Sequence, residues 1–324
     1  MKLLEYTGEY GSELGLFVPF VHYLKRMDAL KANDIKVLTY DGMAPYYFFL
    51  DETEISYKVQ KRVWVHPQNR TFLPESIRSD DELFSRPADL QSGMTSGMTS
   101  GITSGITCFS PPDYIKAYAV ESELRLFLRS LFFGDPASSG DPAGSLVIVQ
   151  NKYNDEWGQR PLNYMDVPLL DRMMTVLKSK AHRKVVYIRS NDCRLRGYSN
   201  DLNEDASCEM QDREMLAERH PEVFTFERCI KACWDSPSEK LANVTFNELK
   251  CAVLSLASCT VSTIGGFNYF DAYWPSKHII YRRDAPAQYD CAFYQNQHDM
   301  LCPTPSPIAM VHDADELIAQ LTVL

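Results

Sequence analysis

Leu146-Val147-Ile148-Val149, followed by Gln150-Asn151-Lys152-Tyr153-Asn154-Asp155-Glu156-Trp157, is the stretch that decides the fold. The apolar run reads as a strand and the polar run as the loop at its carboxyl end. Downstream the pattern repeats: a helix over about 166–180, a strand at 184–189, a helix at about 210–219 and a strand at about 223–226. Helices at 246–257 and 267–273, strands at 259–264 and 278–282, and a last helix from about Asp313 to Leu321 complete the series. Strands alternating with helices in this way predict a parallel sheet with crossover helices.

Upstream, Gly134-Asp135-Pro136-Ala137-Ser138-Ser139-Gly140-Asp141-Pro142 has the composition of a linker. Before it a helix is expected from Pro111-Pro112-Asp113 to about Phe133. The chain opens with a strand (Lys2 to Tyr6), the turn Gly8-Glu9-Tyr10-Gly11 and a helix from about Glu13 to Arg26. Further strands are expected at Ile35–Tyr40 and Val59–Val65, with a helix start at Ala44–Leu50. The fold class is therefore α/β, with two facing Rossmann-like domains: 1–140, and 141–324. Residues 92–107 read SGMT SGMT SGIT SGIT, small and hydroxyl residues that form no core face, and are expected to be a flexible insert.

Composition excludes several classes. The 324 residues carry 33 Lys plus Arg against 43 Asp plus Glu, a net charge of −10 that disfavours a nucleic-acid partner. No apolar run approaches the length of a membrane span, and the amino terminus turns charged within five positions, so neither a span nor a signal peptide is expected. The 9 cysteines are odd in number and lack a CxxC pair, which fits reduced thiols in a cytoplasmic protein. There is no GxGxxG after the first strand, no GxxxxGK[ST] and no HExxH among the scattered histidines. Asp313-Ala314-Asp315 fits a helix cap better than a metal-holding Asp-x-Asp, and Asp80-Asp81-Glu82 reads as solvated surface. No metal and no cofactor is expected. Cys229 and Cys233 beside Trp234, and the run Tyr46-Tyr47-Phe48-Phe49, read as packing residues.

Ligands of open parallel sheets bind at the carboxyl ends of strands, so those loops supply the candidates. In the second domain they are Lys152, Arg189, and the turn Ser262-Thr263-Ile264-Gly265-Gly266-Phe267-Asn268. A lysine, an arginine and a glycine turn with hydroxyl donors, converging on one sheet edge, suit a diphosphate. In the first domain, Glu13 and, as a fallback, Glu9 are candidate general bases in a loop that also holds Gly8, Tyr10 and Gly11. Each acid also has a plainer reading, Glu13 as a charge complementing the helix dipole and Glu9 as a solvated loop residue.

Gly8-Glu9-Tyr10-Gly11-Ser12-Glu13-Leu14 resembles the Gly-Glu-(Phe/Tyr)-Gly-x-Glu-Leu opening of small polysaccharide glycosyltransferases of the GT-B fold. Val149 to Trp157 is similar to the first strand and loop of the second domain in heptosyltransferases, where a lysine helps hold the diphosphate. Glu214 to Val223, Phe246-Asn247-Glu248-Leu249 and Val261 to Tyr273 resemble further stretches of heptosyl- and fucosyltransferase-like sequences from bacteria and viruses, including large viruses of algae. The Asp-x-Gly-x-x-His donor signature of heptosyltransferases is absent, so the donor sugar does not carry over. The resemblance implies a metal-independent, inverting glycosyltransferase taking a nucleotide-sugar donor and a glycan or glycoprotein acceptor. A sugar-nucleotide epimerase of the same architecture and a non-catalytic glycan- or nucleotide-binding protein remain the alternatives.

Long surface insertions cost little closure entropy. Replacing residues 92–107 by a short Gly-Ser bridge should therefore shift the melting temperature by no more than a few degrees, roughly 1 kcal/mol for a chain of this size. A large loss on calorimetry would show that the repeat is packed.

Overall fold

The computed structural model describes residues 2–5, 13–26, 35–58, 122–134, 145–153, 162–180, 183–189, 206–284, 289–302 and 304–324. In the first half, β1 (Lys2–Glu5), β2 (Ile35–Thr39) and β3 (Ile55–Tyr57) form a parallel sheet in the order β1-β2-β3. Between β1 and β2 a π-helical turn, Glu13–Phe17, runs into α1 (Val18–Arg26). The helix start expected at 44–50 is only a 3₁₀ turn, Ala44–Tyr47. The strand expected at 59–65 and the insert at 92–107 lie outside the described residues.

Of the helix expected from Pro111 to about Phe133, residues 111–121 lie outside the described residues, and the rest is α2 (Glu123–Phe133). Ser122 is extended, and its side chain accepts the Arg125 N–H at 3.2 Å, so the helix begins after that cap. Next come β4 (Ser145–Asn151), α3 (Val167–Lys178), β5 (Arg183–Arg189), α4 (Ala206–Arg219), β6 (Phe224–Thr225) and α5 (Phe226–Trp234). They are followed by α6 (Glu239–Ala242), α7 (Phe246–Leu254), β7 (Ala257–Thr263), α8 (Gly266–Asp271) and β8 (Lys277–Tyr281). α9 (Cys291–Leu301), β9 (Ile308–Val311) and α10 (Ala314–Thr322) close the chain. Side-chain caps set these starts: Asp166 on α3, Thr225 on α5, Thr245 with Glu248 as a capping box on α7, Asp290 on α9 and Asp313 on α10.

All six strands of the second sheet run parallel in the order β6-β5-β4-β7-β8-β9. Counted within the sheet this is 3-2-1-4-5-6, the doubly wound order in which the chain reverses direction between its first and fourth strands. Alternate residues of β4 feed two cores. Val147 and Val149 pack with Leu170, Met173, Val261 and Leu317 under α3 and α10. Leu146 and Ile148 pack on the opposite face with Phe246, Leu249 and Phe270, and that cluster continues into Leu14, Val18, Val37 and Tyr46 of the first half. The two halves thus share one apolar core. Tyr46 and Tyr47 are buried in it, as packing residues. Cys229, Cys233, Cys251, Cys259, Cys291 and Cys302 are unbridged. Among the described residues no helix is long and apolar enough to cross a membrane.

A buried histidine pair joins β8 to α9. His278 on β8 and His298 on α9 meet edge to face at 4.6 Å. His278 Nδ1 lies 2.6 Å from the Thr260 hydroxyl and Nε2 3.1 Å from the Trp274 carbonyl. His298 Nδ1 lies 2.9 Å from the Ala272 carbonyl, and its Nε2 accepts the Ser306 N–H at 3.0 Å. Each ring therefore has one donor and one acceptor nitrogen engaged, the pattern of a neutral imidazole. Burial pushes His278 down to about 3 and lowers His298 as well. A depressed histidine contributes stability that is complete above the unfolded value of about 6.5 and is lost as pH falls toward the folded one. Between pH 6.5 and 5 His278 alone should cost about 2 kcal/mol, read as a falling urea midpoint. An imidazole proton resonance of His278 titrating near pH 6.5 in the folded protein would contradict this.

Candidate functional site

In doubly wound sheets ligands bind outside the carboxyl ends of the strands at the reversal, here between β4 and β7, and Lys152 is the first residue beyond β4. Its side chain lies along Gly265, the residue before α8: a Cβ there would stand 2.8 Å from Nζ and 3.2 Å from Cε. Gly265 has φ +157, a conformation that side-chain-bearing residues rarely adopt. Glycine at 265 thus serves both the backbone turn and the close approach of Lys152.

Two asparagines, Asn151 at the end of β4 and Asn163, hold the residues that precede α3. Asn151 accepts the Met165 N–H and donates to the Met165 carbonyl, both at 2.9 Å. Asn163 accepts from the backbone N–H groups of Arg283 and Asp284 at 3.2 and 3.0 Å and donates to the Asp284 carbonyl. It ties the loop after β4 to the loop after β8. The Arg283 guanidinium lies over the Tyr164 ring at 4.6 Å. Two basic residues directly after β8, Arg282-Arg283, were a signal that the loop survey passed over.

Ser262, Thr263 and Asn268 are buried and hold the turn together. The Ser262 hydroxyl donates to Asn268 Oδ1, and Asn268 Nδ2 donates to the Thr263 carbonyl at 2.8 Å. Burial pushes the Tyr294 hydroxyl up, and the neighbouring Asn268 side chain and Gly265 backbone oppose the rise. Gly266 is the first residue of α8. One turn along, Gln150 Nε2 donates to Asp271 Oδ2 at 2.5 Å. Gln150 and Ser262 are register partners on β4 and β7, so adjacent strands grip the same short helix through Asp271 and Asn268. Lys250 on α7 is buried over the Phe270 ring at 5.5 Å. Burial lowers its basicity and raises the Asp271 carboxyl, while the attraction between the two opposes both effects. Nothing in the spacing of Gln150, Lys250 and Asp271 marked them as neighbours.

Arg189 is placed differently from Lys152. Its guanidinium turns inward, 3% exposed, and donates to Asp212 Oδ1 at 3.0 Å. Asp212 also accepts the Tyr187 hydroxyl at 2.5 Å, and burial raises its pKa against the pull of Arg189. The pair joins α4 to β5.

From the first half, Glu13 opens the π-helical turn at the carboxyl end of β2 and is 0% exposed. Its Oε1 accepts from the Thr39 hydroxyl and from the Tyr47 hydroxyl, the latter at 2.7 Å. α8 packs against this turn. Gly8, Glu9, Tyr10 and Gly11 lie outside the described residues. Among the described residues no three His, Cys, Asp or Glu side chains gather as metal ligands, and Asp313 caps α10 by accepting from the Asp315 and Glu316 N–H groups.

A separate groove of about 870 Å³ lies at the β6 edge, lined by Arg213, Leu216, Ile230, Lys231 and Trp234 among others. Its cations are already paired, Arg213 with Glu227 at 2.9 Å and Lys231 with Asp235 at 2.5 Å. Its charges therefore point to no ligand.

No protein-family model matches the chain, and no curated protein matches it. Among solved structures it is similar to one from Listeria monocytogenes described as a UDP-N-acetylglucosamine 2-epimerase, with TM-score 0.41 and 11% identity over 99% of this chain and 72% of that one.

Removing one partner of a buried ion pair strands the other charge away from water. Asp212→Asn should therefore destabilise the fold by about 3 kcal/mol or more, measured by urea denaturation. Lys152→Ala, at a half-buried position, should leave the urea midpoint nearly unchanged. Equal, small effects from both would mean that Arg189 is not committed to the packing.

Proposed function

We propose that the chain is an enzyme of sugar nucleotides, and that its reaction is metal-independent, inverting glycosyl transfer to a glycan or glycoprotein acceptor. The observation that supports this best is the junction of Lys152 with Gly265 at the strand reversal, with the turn opened by Glu13 packed against α8. In this reading Lys152 pairs with the diphosphate as a point charge. Gly265 and Gly266 let the phosphates approach the backbone, and Ser262, Thr263 and Asn268 keep that turn in shape. Arg189 acts through Asp212, holding α4 at the rim. Glu13, or Glu9 in the preceding loop, removes the acceptor proton as the oxygen attacks the anomeric carbon. The bond from that carbon to the phosphate oxygen breaks, and Lys152 stabilises the departing nucleoside diphosphate.

The complete enclosure of Glu13 favours a second reading. A carboxylate shut away from solvent suits proton abstraction from a sugar already bound, as in a sugar-nucleotide epimerase, because no second substrate has to reach it. The two readings differ in product. An epimerase converts a sugar nucleotide to its stereoisomer without any acceptor, whereas a transferase releases nucleoside diphosphate in proportion to glycoside formed.

A thermal-shift panel of UDP-, GDP-, ADP-, CMP- and dTDP-sugars, followed by product analysis with and without oligosaccharide acceptors, separates them. Lys152→Ala should weaken nucleoside diphosphate binding roughly tenfold or more by calorimetry, the scale of one charge-assisted contact. Glu13→Gln still accepts from Thr39 and Tyr47 but no longer takes a proton, so turnover should fall by about 10²–10⁴ while binding persists. Wild-type binding in Lys152→Ala, or wild-type turnover in both Glu13→Gln and Glu9→Gln, would refute the assignment.

A further inference from the structure

Pro19 lies inside the helical segment that Glu13 opens. In a regular α-helix the ring of Pro19 would collide with the carbonyl of residue 15. Widening the preceding turn to the i→i+5 pattern, as Glu13–Phe17 does, relieves that collision. The widening creates a second problem. In an i→i+5 ladder the carbonyl of Leu14 would be served by residue 19, which is proline and has no N–H. Leu14 is fully buried, so water does not reach it.

The donor comes from the other half of the molecule. The Tyr273 hydroxyl, 259 residues away, donates to the Leu14 carbonyl at 2.7 Å. Tyr273 follows α8 directly, is itself buried, and is held against Phe270 with ring centroids 5.8 Å apart. Phe270 in turn packs edge to face on Tyr46 at 4.7 Å. Two adjacent residues are therefore gripped from opposite sides. The Glu13 side chain is held by Thr39 and Tyr47 of its own half, and the Leu14 backbone by Tyr273 of the other.

We propose that Tyr273 is a positioning residue, whose bond to the Leu14 carbonyl sets Glu13 against the turn that carries Gly265 and Lys152. α8 is short, with Gly265 at one end and Tyr273 just past the other, so the same rigid piece bears on both Lys152 and Glu13. The role rests on the reading of Glu13 as the base.

The test is a double-mutant cycle between Tyr273→Phe, which removes only the hydroxyl, and Pro19→Ala, which restores an N–H to residue 19. Tyr273→Phe should lower the melting temperature by about 2–4 °C in the wild-type background. In the Pro19→Ala background it should lower it far less, because the helix then serves Leu14 itself. Binding of UDP and GDP, measured by calorimetry, should stay within about twofold of wild type in Tyr273→Phe. Turnover of the sugar nucleotide identified by the panel should fall about tenfold with KM unchanged. A merely structural tyrosine would lower the melting temperature without that split. An equal thermal loss in both backgrounds would overturn the proposed bond. Unchanged turnover in Tyr273→Phe beside a collapsed Glu13→Gln would overturn the positioning role and leave the base in place. Unchanged turnover in Glu13→Gln would instead overturn the base, and the cycle would still decide the bond.

Discussion

β4 pairs in parallel with both β5 and β7, and most of the molecule follows from that arrangement. A parallel partner requires a crossover, and each crossover covers one face of the sheet. The chain winds outward from β4 through β5 and β6, then returns to start again on its other side at β7. The loops leaving β4 and β7 are thereby sent to opposite faces. The gap between them lies at the carboxyl ends, where Lys152 meets Gly265.

Burial on both faces of β4 divides the work. One face is closed by α3, α4 and α10. The other is closed by α5, α7, α8 and the first half. The shared core therefore holds the halves together, while polar bonds set their register. Asn247 donates to the Gly42 carbonyl at 2.6 Å and accepts the Tyr46 hydroxyl at 2.8 Å, and Tyr273 reaches the Leu14 carbonyl. Apolar contacts tolerate sliding, whereas buried donors and acceptors match at one offset only.

Much of the second sheet was legible because its strands and helices carry their own signals. β4, β5, β7 and β8 were expected within two residues of their ends, and α3 and α8 nearly so. α7 stops at Leu254 rather than 257, because Leu256 turns back to bond the Val253 carbonyl at 3.0 Å before β7 begins. α5, α9, β3 and β9 were not expected. α5 starts directly from a two-residue strand; Phe226 was expected to end that strand, and Cys229 and Cys233 were read only as packing residues. β3 and β9, edge strands among the described residues, are three and four residues long, too short for alternation to show. At the site, Lys152 and the glycine turn could be named because each follows a strand directly. Asp212, Asp271, Gln150, Lys250 and Tyr273 could not, since their meaning lies in partners far along the chain.

The sequence by itself determined the α/β class, the parallel sheet of the second half and the loops at which polar residues leave it. Those properties depend on periodicity, capping and turn chemistry, which act over a few residues. Only the tertiary structure decided that Arg189 faces inward to Asp212 while Lys152 lies on Gly265, and that the Leu14 carbonyl is answered by Tyr273. An arginine and a lysine past strand ends look alike along a chain. That Arg189 is buried depends on the carboxylate that a distant helix brings to it.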